Sequence, residues 1–438
     1  MTTTTTGPSP SAPPGPRFVV LADDLTSAAE AAGHLADTGR TATVVLDPDA
    51  PSATDGGRWP CVDLDSRHLP RGEAALRHQR ATGRLLARAR GGDGPVGPVG
   101  IYKTMDSSLR GNWPAELVGV MRASGRTVAV VAPACPAYDR RTVRGHQYAD
   151  GVPVHHGPAG RDPVRPVTDS SVLAPLAGEG MRVIPVAPTR DDLAAALSSA
   201  LAQPPAAAGE VAPLRALVVD ATTGEDLDRI AAAVVGHAAD VVLCGSPGLW
   251  EAVVPFDPLG PDRSPVRAPV TAPVTGSRGR ALVLVGSRHP TTRAQLARLR
   301  EDGVPVFATT DFAGHADPAD HLTHLLETQT AVALTTPEAL EEDPAAAARQ
   351  LRELAALGAA CARALPGLGL LLTGGDTARA VCGALGGSAI HTVGTVAPGI
   401  PLGTLSGARP HPVISKAGGF GDPESLIAAV AALTRRTA

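Results

Sequence analysis

The sequence predicts an α/β protein of two domains, each built on a mainly parallel sheet, with a substrate cleft between them. Short apolar, β-rich runs alternate with helical stretches along almost the whole chain, the rhythm of strand–helix–strand units. A stretch rich in Pro and Gly, residues 255–280, interrupts that rhythm once and reads as a linker. The length, 438 residues, exceeds what one compact core organises. Hydrophobic residues make up 43% but aromatics only 3%, so Ala, Val and Leu must fill the cores.

The elements follow in order. Residues 1–16, dominated by Thr, Pro and Gly, cannot pack and read as a disordered tail; they lack the apolar stretch of a secretory signal. The first domain is expected over 17–254. "RFVVLADD" is a strand ending in Asp23 and Asp24, and "TSAAEAAGHLADTG" is a helix with a Gly stop. "TATVVLD" and "WPCVDLDSR" are further strands, the latter ending in Asp65, Ser66 and Arg67. "GEAALRHQRATGRLLARARGG" reads as a helix, "VGIYKT" and "RTVAVVAPA" as strands, and 151–180 as irregular. "MRVIPVA", "LRALVVDA" and "VVLCGSPGL" resume the rhythm. In the second domain, 281–438, "ALVLVGSRHPTTRAQLARLRE" and "GLGLLLTGGDTARAVCGAL" each read as strand, turn and helix.

Composition excludes several classes. A net charge of -4 argues against a nucleic-acid surface. No run approaches the length of a membrane span. Five cysteines without a CxxC pair suggest a reduced, cytoplasmic protein, and no metal-ligand set stands out. A GxGxxG pattern at Gly92, Gly94 and Gly97 contains Pro95 and precedes a strand, so it is not a dinucleotide fingerprint and NAD-dependent oxidation is disfavoured.

Ligands of open parallel sheets bind beyond the carboxyl ends of the strands. Three strand ends here are strongly polar, and the segment "KTMDSSLRGN" concentrates Lys103, Asp106, Ser107, Arg110 and Asn112. Arg67, Lys103 and Arg110 can neutralise a carboxylate. Asp23, Asp24 or Asp106 can accept substrate hydroxyls or take a hydroxyl proton. The plainer alternative is that Asp24 merely caps the following helix. Arg140 either touches the ligand or braces its loop. In the second domain, Gly286 and Ser287, then Thr373, Gly374, Gly375, Asp376 and Thr377, then Lys416, Gly418, Gly419 and Gly421 form three turns able to bring backbone amides to phosphate.

At these residues the chain resembles the four-carbon acid sugar kinases, from about residue 17 to 434. "LADDLTSAAEAA", "VDLDSRHL", "YKTMDSSLRGN", "PACPAYDRRTVRGHQYADGVPV", "DPVRPVTDSSV", "LVGSRHPTTRAQ", "TGGDTARAV", "VAPGIPLG" and "SKAGGFGDPESL" match the family's segments in order. The resemblance implies that the first domain binds a sugar acid and the second binds ATP with Mg2+. The γ-phosphoryl group would move to a hydroxyl of a threonate, erythronate or 3-oxo-tetronate type acid. Residues 103–112 would then be the wall that recognises the anionic substrate, and Asp24 the candidate base. Ser27, Asp65, Ser108 and Ala417 depart from the usual Gly, Glu, Thr and Ser. A non-catalytic sensor of sugar acid and nucleotide is the alternative. Partners would be small molecules, and the oligomeric state stays open, with a homodimer as one option.

Overall fold

The computed structural model describes residues 17–48, 59–91, 99–162, 165–202, 212–256, 279–337 and 343–434. The expected tail, the GxGxxG segment and residues 257–278 of the expected linker lie outside the described residues.

The first block holds β1 (Arg17–Ala22), α1 (Leu25–Asp37), β2 (Ala42–Val45), β3 (Trp59–Asp63), α2 (Arg71–Gly91), β4 (Val99–Thr104), α3 (Trp113–Ser124) and β5 (Val128–Ala132). It continues with β6 (Arg140–Val143), β7 (His146–Ala149), β8 (Val152–Pro153), α4 (Leu173–Gly178), β9 (Arg182–Val186), α5 (Arg190–Leu201), β10 (Arg215–Val219), α6 (Gly224–Val234), β11 (Val241–Gly245) and α7 (Pro247–Val253). The second block holds β12 (Ala281–Val285), α8 (Pro290–Glu301), β13 (Val306–Ala308), α9 (Pro318–Thr328), β14 (Ala331–Thr335), α10 (Pro344–Ala364), β15 (Gly369–Thr373), α11 (Gly375–Ala384), β16 (Ala389–Ala397), β17 (Ile400–Leu405), β18 (His411–Lys416) and α12 (Ser425–Thr434).

One 15-stranded sheet runs through both blocks, in the order β13-β14-β12-β15-β18-β17-β16-β2-β3-β1-β4-β11-β5-β10-β9. Each block supplies a contiguous set of strands. The seam is β16 against β2, antiparallel, with Ala389 opposite Val45 and Thr392 opposite Ala42. Pairing is parallel elsewhere in this sheet, apart from β16–β17 and β17–β18. The fold class is therefore α/β with a mainly parallel sheet, and its central strands are buried on both faces, as β5, β10, β11 and β12 show. Residues 140–153 form a separate small antiparallel sheet, β6-β7-β8, where sequence periodicity gives no such signal. Among the described residues no helix is long and apolar enough to cross a membrane.

Helix α1 lies on the seam, packed against β2, β3, β16 and α11. Its Ala-rich faces allow that close approach, and the Trp250 indole N–H anchors it by donating to the Ala31 carbonyl at 3.0 Å. Phe18 and Tyr102 pack edge-on or tilted against the same indole at 5.7 and 4.8 Å between ring centres. The N-terminus of α1 consequently faces the N-terminus of α11. The polar ends of β1, β3 and β4 are thereby brought to the glycine turns of the second block.

Candidate active site

Asp24 caps α1, its Oδ1 accepting from the Ser27 amide at 2.9 Å. The capping role named above is thus real, but it uses only one oxygen. Oδ2 accepts from Thr26 Oγ1 at 2.8 Å and from Arg67 Nη1 at 2.6 Å. Arg67 reaches there from the end of β3. Its Nε and Nη2 also grip both oxygens of Asp23, at 2.7 and 2.9 Å. Burial opposes ionisation of Asp23, yet Arg67 and Lys103 outweigh it and hold the carboxyl below its usual range. Asp106 is chelated in the same way by Arg110, Nε to Oδ2 at 2.8 Å and Nη2 to Oδ1 at 3.0 Å. There too burial opposes ionisation and the arginine prevails, holding the carboxyl low. The Arg110 side chain remains 38% exposed, and its Nη1 meets no protein acceptor among the described residues.

Lys103 departs from the expected role of a direct carboxylate ligand. It is fully buried, with Nζ 2.9 Å from Glu116 Oε2 on α3. Glu116 also accepts from Ser66 Oγ at 2.6 Å, and that hydroxyl lies 3.0 Å from His78 Nε2. Burial penalises both charges, and the attraction between them keeps Lys103 protonated, its pKa above the ordinary lysine value. Lys103 therefore acts on the site through its charge beside Asp23. Replacing it by Met strands Glu116, and we expect a loss of about 3 kcal/mol in denaturant unfolding, partly recovered by adding Glu116→Gln. A Lys103→Met protein of unchanged stability that no longer binds substrate would instead make Lys103 a direct ligand.

Asn112 also departs from a direct contact. The Asn112 amide donates to the carbonyls of Leu69 at 2.9 Å and Ser66 at 3.3 Å, pinning the loop that carries Arg67. Its Oδ1 accepts from Arg165 Nη1 at 2.5 Å. Ser107 is buried, and its carbonyl accepts from Gln147 Nε2 at 2.8 Å. Arg140 braces its own loop through the Tyr138 carbonyl at 2.9 Å and pairs with Asp150 at 3.2 Å.

The three turns of the second block converge. Gly286 and Ser287 follow β12, and Gly286 packs against Thr377. Thr373 ends β15, buried, with no partner for its Oγ1 among the described residues. Gly374 adopts φ +100°, which admits glycine readily, and its N–H donates to the Lys416 carbonyl at 2.8 Å. Gly375 opens α11 directly against Asp24. A Cβ there would lie 2.7 Å from Asp24 Oδ2, so only glycine lets the two blocks meet. Asp376, exposed, pairs with His68 of the first block at 3.4 Å.

Lys416 is buried at the end of β18. Its Nζ donates to the carbonyls of Ala417 at 2.8 Å and Phe420 at 2.9 Å, with Gly418 farther at 3.5 Å. It has no carboxylate partner among the described residues, and burial pushes its pKa down to about 7. The Ala417 departure leaves this arrangement intact, because the lysine uses the backbone carbonyl. Thr292 and Gln295 of α8 hold the Gly418–Gly421 turn, Thr292 Oγ1 donating to the Gly418 carbonyl at 2.7 Å and Gln295 Nε2 to the Phe420 carbonyl at 3.0 Å. Phe420 stacks on Tyr138 of the first block, ring centres 4.2 Å apart.

Several contributors escaped the sequence reading: Glu116, Asn112's partner Arg165, His68, Thr292, Gln295, and Arg379. Arg379 reaches from α11 to the Leu46 carbonyl at 2.6 Å and to Asp63 at 3.1 Å. All lie within or beside the quoted segments, so proximity to them was the available signal.

Residues 18–253 match the model of a sugar-binding N-terminal domain, and residues 282–426 that of a nucleotide-binding C-terminal domain. A D-threonate kinase of Bordetella bronchiseptica is 31% identical, the alignment covering 96% of this chain and 98% of that protein. A D-erythronate kinase of Heliobacterium modesticaldum is 31% identical over 94% of this chain and 96% of its own length. Among solved structures, a Salmonella typhimurium protein shares the fold with a TM-score of 0.72 at 21% identity, covering 94% of this chain and 98% of that one.

Proposed function

The chain belongs to the four-carbon acid sugar kinase family, and from that membership we propose that it transfers the γ-phosphoryl group of ATP to a hydroxyl of a four-carbon sugar acid of the threonate, erythronate or 3-oxo-tetronate type. The observation that carries this reading is the meeting of Asp24 with Gly375. It sets a carboxylate of the sugar-binding block against the phosphate turn of the nucleotide block.

Phosphoryl transfer demands positioning and charge neutralisation more than covalent chemistry. ATP lies on the turns at Gly286 and Ser287, Thr373 to Thr377, and Lys416 to Gly421. The sugar acid lies on the first block, its carboxylate toward Arg110, whose Nη1 is available, with Arg140 flanking. Arg67 holds Asp23 and Asp24 in place, and Asp24 takes the proton of the attacking hydroxyl. Lys103, Ser107 and Asn112 position this wall. Magnesium ions are commonly held by one or two carboxylates together with phosphates and water. The exposed Asp376 at the α11 N-terminus fits that mode, and bound Mg2+ would neutralise phosphate charge there.

The test is ADP release from Mg-ATP with a panel of four-carbon acids of each configuration and 3-oxo-tetronate. Turnover on one member is expected and names the substrate. ATP binding without turnover on any member, accompanied by thermal stabilisation by an acid, would replace the kinase with a sensor.

A further inference from the structure

His289 lies against the Gly418–Gly419 turn of the second block and belongs to neither set of residues assigned above. It is the N-cap of the twelve-residue helix α8, and its Nδ1 accepts from the Thr291 amide at 3.2 Å. A ring nitrogen that accepts carries no proton, so in the neutral imidazole the hydrogen resides on Nε2. That Nε2 has no protein acceptor among the described residues. The ring lies over the phosphate turn: a Cβ on Gly419 would be 3.3 Å from both Nε2 and Cε1, and one on Gly418 would be 3.3 Å from the histidine Cβ. Next to it, the Ser287 hydroxyl accepts from the His289 amide at 3.3 Å.

The charges around the ring come from both blocks. The charges of Arg110 and Arg140 of the sugar-binding block and of Lys416 of the nucleotide block act on it, opposed by Asp150. Burial first, then these cations, hold the imidazole below its ordinary pKa. The start of α8 adds a partial positive charge of the same effect. Two arginines of one block, each also paired with a carboxylate, and a carboxylate-free lysine of the other act on one neutral donor, an arrangement suited to a polyanion. A neutral imidazole at a helix N-terminus is a competent donor to negative charge that develops during a reaction.

We propose that His289 is a catalytic residue that donates its Nε2–H to a non-bridging oxygen of the phosphoryl group in transfer. The inference rests on the kinase reading. In the step, the bond from the γ-phosphorus to the bridging oxygen breaks and its electron pair leaves with ADP. The substrate hydroxyl oxygen forms the new bond to phosphorus, and its proton passes to Asp24. The Nε2 proton stays on the imidazole throughout, so His289 stabilises charge and exchanges no proton.

Two variants separate this role from capping. His289→Asn keeps an acceptor for the Thr291 amide but cannot reach the phosphoryl group. His289→Gln returns an N–H near the Nε2 position. We expect His289→Asn to lower kcat about 100-fold, with ATP affinity and melting temperature essentially unchanged, and His289→Gln to recover about tenfold of the loss. Turnover of His289→Asn within about threefold of wild type would reduce His289 to a helix cap and overturn the proposal. An equal loss in ATP affinity would also overturn it, by making the contact one of ground-state binding. Wild-type protein that turns over no four-carbon acid would remove the kinase reading itself, and the inference with it; active wild type beside an unaffected variant removes the inference alone.

Discussion

Asp24→Asn is expected to lower kcat on the four-carbon acid by about 100- to 10 000-fold while leaving ATP affinity near that of the wild type. Three carboxylates compete for the role of base, and their surroundings rank them. Asp23 has both oxygens in the grip of Arg67, and Asp106 has both in the grip of Arg110. Asp24 gives Oδ1 to its helix cap, and its Oδ2, which accepts one bond each from Thr26 and Arg67 rather than a paired guanidinium grip, lies against Gly375. Its Oδ2 meets the glycine turn that opens α11. Asn is as good a cap as Asp, and Arg67 retains its paired grip on Asp23, so the variant should fold. Turnover close to wild type would move the proton to Asp23 or Asp106.

Lys416→Met is expected to weaken ATP binding by about 100-fold or more, since a buried hydrogen-bonded charge facing phosphate contributes several kcal/mol to such contacts. An ammonium has three protons. Two are committed to the Ala417 and Phe420 carbonyls, and the third makes only the long contact to Gly418. That proton is available to a phosphate oxygen. With its pKa drawn down to about 7 by burial, Lys416 is mostly neutral in the free protein at pH 8. An anion on the turn restores the charge. Binding at pH 8 should therefore take up most of a proton, and affinity should fall as pH rises above 7. Calorimetry in buffers of different ionisation enthalpy reads this directly. Uptake that persists in Lys416→Met would assign it to another group.

The same shift has a consequence for folding without ligand. The lysine is protonated in the unfolded chain until about pH 10.4, whereas in the fold it gives up its proton from about pH 7. The unfolded state binds more protons between these values, so this group's contribution to stability rises as pH rises through that window. Nucleotide affinity and intrinsic stability should thus respond to pH in opposite directions.

Local patterns made much of the site legible. Each glycine turn follows an apolar strand and each acid or base cluster closes one, so within each block these groups gather at the carboxyl ends of its parallel strands; that the two sets meet does not follow, because three antiparallel pairings between β2 and β18 reverse the strand direction. The fates of individual side chains were less accessible. "KTMDSSLRGN" shows Lys103 beside Asp106 and Arg110, yet the lysine points into the core and the arginine out. The difference lies in Glu116, which sits on the buried face of α3 beneath β4. Asn112 likewise looked like a ligand group, but the loop carbonyls that claim its amide belong to residues remote in the chain.

By itself the sequence determined the α/β class, the two blocks, the charged strand ends and the glycine-rich turns, because these rest on short-range periodicity and on residue types that only a few backbone conformations suit. The tertiary structure alone decided that β16 pairs with β2 and carries one sheet through both blocks, and that α1 brings Asp24 against Gly375. It also decided which cations stay free. Those outcomes depend on contacts between residues hundreds of positions apart, where burial forces one charge to find a partner and leaves another, as at Lys416, to wait for a ligand.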